Sequence, residues 1–212
     1  MLRDIAPVAG IERIPLVMAI NPTLPAKTVP EFIGYVKANP GKINMGSGGI
    51  GSTGHVSGEL FNMMAGIKIA HVPYRGEPQA LTDLLGGQVQ LVFATAGSTM
   101  QYVKAGTLRA LAVSSGERQE VLPNLPVIAD FLPHYEASAW GGIGAPANTP
   151  AEIIGTLNRE INAGLADPEI KAQLSSLGAT VLTGSPSDFG KFIVSETEKW
   201  GKVIKFANIK PA

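Results

Sequence analysis

Apolar residues fall into two alternating spacings along this chain. Short β-branched runs are each followed by a longer stretch in which apolar positions recur every three or four residues, the pattern of strands alternating with amphipathic helices. That alternation predicts an α/β fold with a mostly parallel sheet flanked by helices. A strand over residues 14–20 is closed by Asn21-Pro22. Thr28 opens a helix, with Glu31 three positions on completing a capping box, and Asn39-Pro40-Gly41 ends it. A short strand over 43–46 runs through a glycine-rich loop into a helix over about 52–65. A strand over 67–72, a helix over 77–85 stopped by Gly86-Gly87, and a strand over 89–93 follow.

A short helix around 100–104 then precedes a strand over 108–113, and the proline-rich stretch 121–135 leaves little room for regular structure. A strand over 138–145, helices over 151–166 and 168–177, a short strand over 179–182 and a long helix from 186 to about 206 complete the pattern. The last third is mostly helical, and the shift near Ser138 marks the expected boundary. We expect one complete α/β domain over 15–137, a portion of a second over 138–212, and an incoming segment 1–14. No repeat of fixed period occurs.

Composition narrows the functional classes. With 212 residues, 45% apolar and only 16% charged, the chain is long enough to bury a core and is no disordered tail. Seventeen basic residues balance 17 acidic ones without clustering, so the electrostatic footprint of a nucleic-acid binder is absent. The lack of cysteine removes thiolate catalysis, zinc ribbons and a disulfide framework. No apolar run reaches bilayer length, and Asp4, Glu12 and Arg13 stand where a signal peptide would carry its apolar segment.

The most informative segment is Lys42-Ile-Asn-Met-Gly-Ser-Gly-Gly-Ile-Gly-Ser-Thr-Gly-His55, a glycine-rich turn between a strand and a helix start. Such a turn aims backbone N–H groups, hydroxyls and the positive end of a helix dipole at one spot, which suits an anion. Ser47, Ser52 and Thr53 supply hydroxyls, while Gly48, Gly49 and Gly51 let a ligand approach the main chain. The plainer reading is a tight turn with Ser52 as helix cap and nothing bound. Gly46-x-Gly48-x-x-Gly51 also meets the dinucleotide fingerprint, but the acidic residue expected about 20 positions on is missing, and Arg75 stands there to meet a 2′-phosphate instead. The loop lacks a P-loop lysine and does not match a nucleophile elbow.

Of the three histidines, His55 falls on the first turn after the loop, where it either faces the anion or lies on the helix surface. His71 sits inside an apolar strand and reads as a satisfied half-buried histidine, and neither it nor His134 has carboxylates at a metal-ligand spacing. No acid/base pair or triad presents itself, which argues against an enzyme. The segments 72–78 and 93–98 lie at carboxyl ends of expected strands, so Tyr74, Arg75 and Thr95 would rim the same crevice as the glycine loop, or simply furnish surface loops. Trp140 and Trp200 read as core or inter-domain packing.

These residues carry a resemblance. The order Asn21-Pro22, Pro25-Ala-Lys-Thr28 and Ala38-Asn-Pro-Gly-Lys42, then Ser47-Gly-Gly-Ile-Gly-Ser-Thr-Gly-His55 and Gly58-Glu-Leu-Phe61, then His71-Val-Pro-Tyr-Arg-Gly76 and Leu81-Thr-Asp-Leu-Leu-Gly-Gly-Gln-Val89, is similar to that of the Bug family. These are the extracytoplasmic solute receptors of tripartite tricarboxylate transporters. Lys104-Ala-Gly-Thr-Leu-Arg-Ala-Leu-Ala-Val113, Gly144-Ala-Pro-Ala-Asn-Thr-Pro150 and Lys199-Trp-Gly-Lys-Val203 extend it over essentially the whole chain. The resemblance implies a type II periplasmic-binding-protein fold that closes on a small organic acid, most often a carboxylate. It implies no catalysis and no cofactor, a periplasmic setting, and the transporter's membrane components as partners. Carried over, Ser47, Gly48, Gly49, Ser52, Thr53, His55, Tyr74 and Thr95 would form the second domain's half of the cleft.

Two positions depart from the family pattern: Gly54 replaces the usual Ser or Thr before His, and Ala94 the frequent Asp after Phe. Both are expected to change the pocket lining. Against the family the chain also lacks the opening elements of domain one, so half of the cleft would be missing and capture impaired. The late helices would then expose apolar faces, and the chain would self-associate or be partly disordered in that portion. Two other functions stay open at this point: an NAD(P)-dependent enzyme built on the Gly46 to Gly51 loop, and a non-binding oligomeric remnant.

Overall fold

Strand β1 (Ile5–Ile20) begins well before residue 14, where the sequence pattern would start it. Pro7, Gly10, Glu12, Arg13 and Pro15 obscure the period-two alternation, but tertiary pairing keeps the chain extended: Glu12 and Arg13 lie opposite Val181 and Thr180 of β7 (Thr180–Val181). The Arg13 guanidinium also stacks 4.5 Å above the Phe192 ring. The computed structural model describes residues 4–119 and 122–210. Within it the chain divides into two units, one formed by the chain up to Ile14 with Ala139–Gly201, the other by Pro15–Ser138 with the chain from Lys202 onward.

The second unit holds a sheet in the order β3-β2-β4-β1-β5. Its strands are β2 (Asn44–Ser47), β3 (Ala70–Pro73), β4 (Leu91–Thr95), the Leu16–Ile20 end of β1 and β5 (Arg109–Val113). β2 runs parallel to both β3 and β4, whereas β1 runs antiparallel to β4 and β5, with Met18 opposite Phe93 and Ala112. The sheet is therefore mixed, not mostly parallel throughout. Periodicity reports burial rather than direction, so the reversal at β1 was invisible in it.

Helix α1 (Val29–Ala38) starts as the capping box predicts: the Thr28 side chain accepts from the Glu31 N–H, and Glu31 reaches back to the N–H of Lys27, one residue before the cap. Helices α2 (Thr53–Ala65), α3 (Glu77–Leu85) and α4 (Ala96–Lys104) each follow a strand. Beneath α1 and α2 the core is aromatic. Phe61 contacts Phe32, Phe93 and Tyr135, and the buried Tyr135 hydroxyl donates to the Ser57 carbonyl at 3.0 Å. On the opposite face Val17, Ala19, Ala80, Leu81, Leu84, Val89 and Val92 close a second core. Of the proline-rich stretch, Val121 lies outside the described residues, and a single 3-10 turn, Ile128–Asp130, is formed in the rest.

The first unit contains the opening part of β1, most of β6 (Ser138–Pro146), β7, the helices α5 (Ala151–Ala166) and α6 (Pro168–Ser176), and most of α7 (Pro186–Phe206). Trp140 packs edge-on against Phe189 and Phe192, the core role its sequence suggests. Asn158 donates to the carbonyls of Val8 and Gly184, tying α5 to β1 and to the turn before α7. Ile153, Leu157, Ile170 and Leu177 are exposed. The division departs from the sequence expectation at the ends. The described part of segment 1–14 supplies a paired strand of this unit, because β6 and β7 flank it. The chain from Lys202 onward groups with the other unit, where Val203 is fully buried.

Candidate functional site

Because β3, β2 and β4 are parallel neighbours, the loops at their carboxyl ends share one edge of the sheet. They touch. A side chain at Gly48 would place its Cβ 3.1 Å from the Glu77 nitrogen, and one at Gly49 would lie 3.2 Å from the Tyr74 carbonyl. Gly49 (φ +129°) and Gly51 (φ +77°) also adopt backbone conformations that favour glycine. The glycines of the sequence motif are thus required by the close approach of the second loop and by the turn itself.

The turn is braced from beneath. The Ser47 hydroxyl, almost fully buried, donates to the Gly49 carbonyl at 3.0 Å and accepts from the Gly49 N–H at 3.1 Å. Ser52 caps α2, accepting from the His55 N–H at 3.4 Å and donating to the same Gly49 carbonyl at 2.8 Å. The Gly51 N–H donates to His55 Nδ1 at 3.0 Å. His55 Nδ1 therefore carries the lone pair and Nε2 the proton, 3.9 Å from Glu59. His71 stacks on His55 with centroids 3.6 Å apart and rings 9° from parallel, and its Nε2 lies 2.6 Å from Ser47 Oγ.

Burial penalises charge on both imidazoles. It lowers the pKa of His55, and, together with repulsion from His55, it brings His71 down to about 4. Burial likewise raises Glu59, against the hydrogen bond it accepts from Asn62. The pair is neutral near pH 7 and works as a packed brace. His55 is buried beneath the loop, neither on the helix surface nor free to turn outward. His71 is half-buried and satisfied, as the sequence suggests, and because its partner is Ser47 it also reaches the loop.

Above the brace lie uncommitted donors. Thr53 and Gly54 open α2, where helix geometry leaves their N–H groups without an intrahelical acceptor, and the N–H groups of Gly48 and Ile50 find none among the described residues. Tyr74 and Thr95 stand differently. The Tyr74 ring packs against Gly46 and the second core, and its hydroxyl donates to Asp83 at 2.7 Å, so burial and then Asp83 push its pKa up to about 12. Thr95 stands at the N-cap position of α4 without a side-chain capping bond, because its N–H and hydroxyl donate to the carboxylate of Glu77, at 3.2 and 3.0 Å. Ser98 donates to the same carboxylate at 2.5 Å.

The structure thus joins Ser47, Gly48, Gly49 and Ser52 of the turn with Thr53 and His55 of the first turn of α2, with Tyr74 behind them and Thr95 bonded to Glu77. Sequence reading missed the brace role of His71 and the carboxylate of Glu77. Alternation on β3 could have placed His71 beside β2, but no local pattern points Glu77 at Thr95, 18 residues on. The two departures from the family pattern differ: Gly54 lies at the site, in the first turn of α2, whereas Ala94 packs into the core and not, as expected, into the pocket lining. A Cβ at Gly54 would lie 2.6 Å from the Phe93 carbonyl, and Ala94 is fully buried against the second core. Among the described residues no group of three or more His, Asp or Glu is placed to hold a metal ion.

Comparison with known proteins agrees with this architecture. The family profile described as the tripartite tricarboxylate transporter family receptor, TctC, matches residues 1–209. BugT of Bordetella pertussis is 33% identical over 211 residues, 99% of this chain and 65% of that protein. A protein encoded between tcbD and tcbE in a Pseudomonas species is 34% identical over 204 residues, 95% of this chain and 61% of that protein. The chain spans less than two thirds of the length of either. Among solved structures, R. palustris Rpa4515 with adipate is 37% identical with a TM-score of 0.84, over 99% of this chain and 70% of that one. The periplasmic binding protein BugD is 30% identical with a TM-score of 0.79, over 97% and 70% respectively.

Proposed function

Since the chain belongs to the tripartite tricarboxylate transporter receptor family, we propose that it is a solute-binding receptor that captures a small organic acid by a carboxylate for such a transporter. It works in the periplasm, with the transporter's membrane components as partners, and carries out no reaction. The observation that carries this reading is the glycine loop at the start of α2, where uncommitted N–H groups and the helix dipole converge above a buried, neutral brace.

A carboxylate seated there accepts from the N–H groups of Thr53 and Gly54 and from those of Gly48 and Ile50. Charge-assisted bonds of this kind contribute about 1.5–3 kcal/mol each when well aligned, and the dipole adds about 0.3–1 kcal/mol. Ser47 and Ser52 act as positioning residues, holding the Gly49 peptide rather than the ligand. The exposed Ile50 side chain at the loop tip offers an apolar surface for the ligand's carbon skeleton. Relatives solved with adipate and with malate support the ligand class.

The test is a thermal-shift screen against mono-, di- and tricarboxylates, with NAD(P) as a control for the dinucleotide reading of the same loop. Binding to the native state raises stability by about 2.7 kcal/mol at a hundredfold excess over Kd. A rise with carboxylates is expected. A flat carboxylate response, or a rise with NAD(P) alone, would overturn the proposal.

A further inference from the structure

The Glu77 carboxylate occupies the start of α4, taking the Thr95 N–H, the Thr95 hydroxyl and the Ser98 hydroxyl at once. Among the described residues no cation pairs with it, so its negative charge is met only by hydrogen-bond donors and the helix dipole. Glu77, Thr95 and Ser98 are all half-buried, and water reaches them. The residue also adjoins the glycine loop, since its backbone nitrogen is the closest approach to Gly48. Of the three loops at this sheet edge, one presents free donors and another has its donors filled by a resident carboxylate.

We infer that Glu77 determines which organic acids this chain accepts: it keeps a second ligand carboxylate away from the donors of Thr95 and Ser98 and so selects acids with one carboxylate on the glycine loop and an uncharged far end. The inference rests on the proposed carboxylate site. Two carboxylates sharing one set of donors repel, so a diacid reaching Glu77 must take up a proton or leave its far end unpaired. A neutral ester or amide at that end meets no such cost.

Isothermal titration of the full chain with glutarate and with its monomethyl ester at pH 7, on wild type and Glu77→Gln, separates the outcomes. The amide keeps the size and an acceptor for the Thr95 and Ser98 donors while removing the charge. Wild type should bind the monoester at least about tenfold more tightly than the diacid, and E77Q should bring the two within about threefold by strengthening diacid binding. Binding of the diacid by wild type as tightly as the monoester, or an unchanged ratio in E77Q, would overturn the role of Glu77 and leave the receptor function standing. Failure of wild type to bind either compound would overturn both. Should E77Q not fold, the wild-type ratio alone decides.

Discussion

Acidification should unfold this protein partly through His71. Its imidazole is neutral in the folded chain down to about pH 4, held so by burial and by the parallel His55 ring 3.6 Å away, whereas an unfolded histidine titrates near 6.5. Between those values the unfolded chain binds a proton that the folded chain does not. Stability therefore rises with pH across this window, is fully present above about 6.5, and is lost as pH falls towards 4. At about 1.4 kcal/mol per pH unit the ceiling is roughly 3 kcal/mol; because the ring is only half-buried and partly solvated, we expect about half of that. The perturbation is His71→Gln, which keeps a polar atom near Ser47 Oγ and does not titrate. Urea unfolding at pH 7 and pH 4.5 should show wild type losing about 1–2 kcal/mol more than the variant. Equal losses in the two proteins would refute the argument that the stacked, buried pair excludes charge.

Two further substitutions test the packing around the loop. Gly54→Ala puts a Cβ 2.6 Å from the Phe93 carbonyl, a backbone atom that cannot swing aside, so despite better helix propensity it should cost about 1–2 kcal/mol in chemical denaturation; a neutral or stabilising result would show that α2 is free to lift from β4. Tyr135→Phe removes the buried hydrogen bond to the Ser57 carbonyl while keeping the aromatic cluster, and should cost about 1 kcal/mol with little effect on carboxylate binding, read by melting and titration together.

Much of this was legible in the sequence because the signals were local. Thr28 with Glu31, Ser52 before α2 and the Gly86-Gly87 stop each act within a turn of the element they bound, and α3, α5 and α7 fall where periodicity places them. Strand β1 was cut short because its first half is extended by pairing with β6 and β7 and not by its own alternation. Its antiparallel direction likewise depends on partners more than 70 residues away. At the site, the glycine turn itself was legible, since a tight strand-to-helix turn with positive φ and close backbone approach calls for glycine. The function of the histidines was not, because a stacked pair joining residues 55 and 71 exists only after β2 and β3 align. Glu77 stayed hidden for the same reason: its partners belong to the next strand–helix junction.

The central claim is that a carboxylate seats on the N–H groups at the start of α2. The most direct measurement is a titration of the 15N-labelled chain with glutarate monomethyl ester, followed by amide chemical shifts. The account predicts saturable shifts concentrated at Gly48, Ile50, Thr53 and Gly54, with the Gly49 and Gly51 amides moving less because Ser47 and His55 already hold them. Saturable shifts centred elsewhere, or none at these four amides at millimolar ligand, would contradict it.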